Sequence, residues 1–175
     1  QQLQSEVAAA APNAARILQL ANEVTASERG TFATTERARL ISILSAEQIV
    51  RFVRTLTAPI ADKLGWVKDK GGTAPMSDVT ALIALAPDRE RVALFDNATL
   101  ITWLRVASRL GPLQTMGLNE AHIAALVSKQ TFWDWVLERQ TGFELLRFVS
   151  ASRNIPAALT VLVTFNRWAL IDNLP

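Results

Sequence analysis

Apolar residues along this chain recur at intervals of three and four and almost nowhere in strict alternation, which is the spacing of helices rather than strands. In SAEQIVRFVRTL, Ser45 to Leu56, the residues Ile49, Phe52, Val53 and Leu56 share one helical face. Start and stop signals divide the rest of the chain. Ser45 with Gln48 and Thr141 with Glu144 fit the capping box, in which the first side chain accepts an orphan amide and the fourth reaches back. Pro59, Pro87 and Pro156 suit first turns of helices, and Gly65 and Gly111 suit helix exits. The pattern predicts short helices near 13–25, 35–44, 46–57, 59–64, 78–85, 87–94, 97–110, 119–129, 132–139, 142–152, 156–163 and 165–171. The clear loop is VKDKGGTAPM, residues 67–76, where Gly71, Gly72 and Pro75 break any helix.

Three of these helices are written alike. SAEQIVRFV starts at Ser45, DNATLITWL at Asp96 and TGFELLRFV at Thr141, so the caps are 51 and 45 residues apart. The fourth and fifth residues after each cap are apolar, as are the seventh and eighth: Phe52 and Val53, Trp103 and Leu104, Phe148 and Val149. A shorter apolar helix precedes each one. A period of about 45–50 residues built from two or three short helices is the signature of stacked helical repeats.

The expected fold is therefore all-α, a single domain of about three helical repeat units plus a partial fourth. Residues 1–34 form an N-terminal helical cap, and residues 35–175 carry the repeats.

RVALFDN, Arg91 to Asn97, and RWALIDN, Arg167 to Asn173, repeat one phrase 76 residues apart. Its reading is structural: the apolar triplet closes one helix against the core, and Asp96 or Asp172 acts as N-cap of the next. The helix caps expected from sequence are thus Ser45, Asp96, Thr141 and Asp172. The second copy stops mid-repeat and the chain opens on Gln1, so a processed chain or a fragment of a longer one is expected.

The stretch ALIALAPDRERVALFDNATLITWLRVA resembles the degenerate helical repeats of large bacterial proteins associated with extracellular contractile injection systems and secreted polymorphic toxins. The likeness covers Ser77 to Pro175; residues 1–34 and the loop from Lys68 to Pro75 do not fit it. The resemblance implies a non-catalytic structural or protein-binding module of a larger secreted or injected assembly. It also implies an extracellular setting.

Composition narrows the function classes. Half of the 175 residues are apolar, enough for a sizeable core. The net charge is +2, with eleven basic against eleven acidic residues up to residue 100 and seven against five beyond it. No basic stretch forms a nucleic-acid footprint, so no nucleic-acid partner is expected. Cysteine is absent, which removes disulfides, thiolate nucleophiles and cysteine-bound metal together. Ala157 to Ile171 is interrupted by Thr160, Thr164, Asn166 and Arg167 and is too short and too polar to span a membrane.

Candidate chemistry is sparse. His122 is the single histidine, and Glu120, two positions away, does not share its helical face. A surface or capping role near Asn119 is expected rather than a general base or metal ligand, and no metal or other cofactor is expected. Glu138 with Glu144, or Asp134 with Glu138, could serve a small carboxylate-dependent hydrolase, but such pairs occur on any solvated helix. There is no Gly-x-Ser-x-Gly elbow and no phosphate-binding loop.

TFWDWVLERQ is the strongest surface candidate, because Trp133 and Trp135 point to different faces of one helix. Phe132, Trp135 and Trp168 are the candidate partner contacts. The expected partner is a protein or further repeats of the same chain, and oligomers fit that picture. Arg51, Arg54, Arg147 and Arg153 are read as solvated helix faces before an anion-binding stripe. A membrane-active toxin segment is the third functional alternative.

Overall fold

A computed structural model describes residues 1–71 and 74–106, together with His122, Ala125, Leu126 and Lys129 to Phe132. Among the described residues the chain is all-helical, with eight α-helices, one 3-10 helix and no strand. It divides into two compact units, Gln1–Leu82 and Ile83–Pro175, with the boundary inside α6, Met76–Ala84.

The first unit is built from α1, Gln2–Ala8; α2, Ala14–Glu23; α3, Ala26–Ile43; α4, Ala46–Arg54; α5, Ile60–Lys70; and the start of α6. Its helix starts are fixed by local chemistry. Asn13 caps α2, its side-chain oxygen accepting from the Arg16 amide at 3.1 Å, and Glu6 of α1 accepts from the Asn13 amide at 2.9 Å. Thr25 with Glu28 and Ser45 with Gln48 form complete capping boxes for α3 and α4, each satisfying two orphan donors reciprocally.

The faces behind those caps are apolar. Helix α4 buries Ile49, Val50, Phe52 and Val53 and leaves Arg51 and Arg54 in solvent, the amphipathic division its spacing spelled out. It lies against α5 and α2, and Phe52 meets Trp66 of α5 at 5.6 Å between ring centroids. Leu40 and Leu44 around the end of α3, and Ile17 and Leu20 of α2, complete the same core.

Three elements differ from the sequence expectation: α1, Gln2–Ala8, lies before the first helix expected near 13–25, and α3 and α5 have other bounds. Helix α3 begins at Ala26 instead of near residue 35. Gly30, Thr31, Thr34 and Thr35 are poor helix formers and hide the pattern. Burial of Phe32 and Ala33 outweighs that preference, and each threonine hydroxyl donates to the carbonyl four residues back.

Helix α5 runs straight through Gly65, so Val67 to Lys70 are helical and not part of a loop. Leu64, Trp66 and Val67 are all buried, and this apolar run carries the helix past the glycine. The exit is Gly71, whose φ of 66° is where glycine escapes the side-chain clash other residues suffer.

The second unit contains α7, Asp88–Ala93, the 3-10 helix Leu94–Asp96 and α8, Ala98–Val106. Pro87 precedes α7, as suits a first-turn proline region. Leu94 and Phe95 of the 3-10 helix and Leu100, Ile101 and Leu104 of α8 are buried. The arrangement of repeat units from residue 107 onward, with the caps expected at Thr141 and Asp172, lies outside the described residues.

Candidate functional site

Among the described residues of the second unit, the phrase RVALFDN carries several polar contacts. The cap of α8 is Asn97 and not Asp96: the Asn97 side-chain oxygen accepts from the Leu100 amide at 3.0 Å, and its carbonyl accepts from the Ile101 amide at 3.0 Å. The correction has a physical reason. The 3-10 helix holds residues up to Asp96 in a continuing turn, so the first residue free to leave the helical conformation and cap the next helix is Asn97. Asp96 instead pairs with Lys129, 33 residues along the chain.

The phrase also receives a second segment. Thr131 donates its hydroxyl to the Phe95 carbonyl, and Phe132 meets Phe95 edge-on, with centroids 5.6 Å apart and planes at 76°. Phe132 is 1% exposed. It is a core residue packed against Phe95, which corrects its assignment as a partner contact. Trp135 and Trp168, the other two contact candidates, lie outside the described residues.

His122 is also buried, at 5% exposure, which corrects the expected surface or capping position. Its Nε2 lies 3.1 Å from Asp88 Oδ2, and the other carboxylate oxygen of Asp88 accepts from Arg91 on the same helix. The Arg91 hydrogen bond first, and the close approach of His122 second, hold the Asp88 carboxyl below its ordinary range. Asp88 itself is largely exposed, while the Arg91 side chain is only 11% exposed. The result is a charge-assisted tie from the first turn of α7 to a residue 34 positions further on.

The first unit has comparable ties. Arg29, in the first turns of α3, donates to the Ala21 carbonyl, to Val24 at 3.0 Å and to Thr55 at 2.6 Å, so one guanidinium closes the carbonyl ends of α2 and α4. Arg37 lies 4.8 Å over the Trp66 ring and pairs with Asp69 at 2.6 Å. Lys70 reaches the Ile41 carbonyl at 2.8 Å. Arg51 pairs with Glu47 one turn back on an exposed face.

Arg29, Arg37, Lys70, Asp88 and Lys129 were not singled out from sequence. Each finds its role through a partner distant in sequence or through shared burial, and no local spacing announces it.

Among the described residues, no three histidine, aspartate or glutamate side chains converge as a metal site would require, and no helix is long and apolar enough to cross a membrane. Glu120, Asp134, Glu138, Glu144, Arg147 and Arg153 lie outside the described residues. No known protein family, curated protein or solved structure matches the chain.

Proposed function

We propose that the chain is a non-catalytic helical-repeat module that serves a structural or protein-binding role within a larger bacterial secreted or injected assembly. The observation that carries this reading is the use made of the half-buried and buried polar side chains. Arg29, Lys70, Arg91, His122, Lys129 and Thr131 are spent on helix ends, backbone carbonyls and helix-to-segment ties. Catalytic groups are held with a reactive atom facing a cleft; these face their own scaffold. The likeness of the sequence phrases SAEQIVRFV, DNATLITWL and TGFELLRFV supports the repeat character, and the resemblance of Ser77 to Pro175 to injection-system repeats supplies the assembly.

The test is in-cell cross-linking of the tagged chain, followed by reconstitution with each recovered protein. The expected result is a complex of fixed stoichiometry with one protein of an assembly. Trp135→Ala or Trp168→Ala should weaken it by about tenfold or more, on the order of 1.4 kcal/mol, while thermal melting stays unchanged. Hydrolysis of a glycoside panel that disappears in Glu138→Gln or Glu144→Gln would overturn the reading in favour of an enzyme. Leakage of anionic vesicles at low protein concentration would overturn it in favour of a membrane-active segment.

A further inference from the structure

We draw no further inference here: the strongest candidate, the side-chain cluster of His122, Asp88 and Arg91 at the first turn of α7, belongs to the site already described.

Discussion

Phe52 meets Trp66 in the first unit, and Phe95 meets Phe132 in the second, each pair at 5.6 Å between centroids. The pairs do the same physical work but are assembled differently. Phe52 and Trp66 are 14 residues apart, on adjacent helices whose starts are marked by a capping box and a proline. Phe95 and Phe132 are 37 residues apart, and the segment bearing Phe132 is tied down by Lys129 to Asp96 and by Thr131 to the Phe95 carbonyl. The first unit's core follows from local instructions. The second unit's core, in its described part, depends on partners that only the fold brings together.

The comparison is broken most forcefully at the aromatics. Phe52→Ala and Phe132→Ala should each destabilise the protein by about 3–5 kcal/mol, because both rings are fully buried and a large cavity replaces them. Urea titration followed by circular dichroism reads the loss. If Phe132 were instead an exposed partner contact, its alanine variant would stay within about 0.5 kcal/mol of the parent protein. That outcome would dismantle the second aromatic pair.

Next in size is Arg29. Replacing it with alanine leaves the carbonyls of Ala21, Val24 and Thr55 without their shared donor, at a cost on the order of 2–3 kcal/mol in the same titration. Lysine in its place should recover only part of this, since one ammonium cannot reproduce the planar fork. Full recovery by lysine would mean that charge alone, and not the three-way geometry, joins the ends of α2 and α4.

The caps separate the units on a finer scale. Ser45→Ala and Asn97→Ala should each cost about 1 kcal/mol, whereas Asp96→Ala removes only the pairing with Lys129 and should cost less, up to about 1 kcal/mol. Here the sequence was legible in one unit and misleading in the other. Ser45 is followed by Gln48 at the capping-box spacing, a signal complete within four residues. In the Asp-Asn pair either residue caps well, and the choice is made by the 3-10 turn, which hydrophobic spacing does not announce.

Gly65 failed for a related reason. Glycine marks a helix exit only where the backbone leaves the right-handed region, and buried Leu64, Trp66 and Val67 keep α5 going until Gly71. Gly65→Ala should therefore stabilise the fold by up to about 1 kcal/mol: the added carbon would meet only the flexible end of Arg37, at 3.7 Å. At Gly71, with its positive φ, the same substitution should destabilise by about 1 kcal/mol or more. Long-range ties such as Arg29 to Thr55 or Asp88 to His122 left no trace that spacing could reveal, because a charged residue on a helix looks the same whether it faces water or a distant carbonyl.

The smallest expected effects lie in acid, where Glu28 and Asp88 repeat the contrast between local and distant partners. Hydrogen bonds from the Thr25 side chain and then its backbone hold Glu28 below the usual carboxylate range, and Arg91 followed by His122 does the same for Asp88. A carboxyl whose folded value is depressed stabilises the fold at pH above its unfolded value, about 3.9 for aspartate and 4.3 for glutamate, and that contribution is lost as pH falls through the folded value. Denaturation at pH 7 and near pH 3 should show a smaller acid loss in both Glu28→Gln and Asp88→Asn than in the parent protein. The two should part at pH 7. Glutamine can still complete the capping box and should leave stability nearly unchanged, whereas asparagine at 88 withdraws the charge that Arg91 and His122 share. An Asp88→Asn variant as acid-sensitive as the parent protein would show that this tie across 34 residues does not hold in solution, and the second unit would lose the polar half of its description.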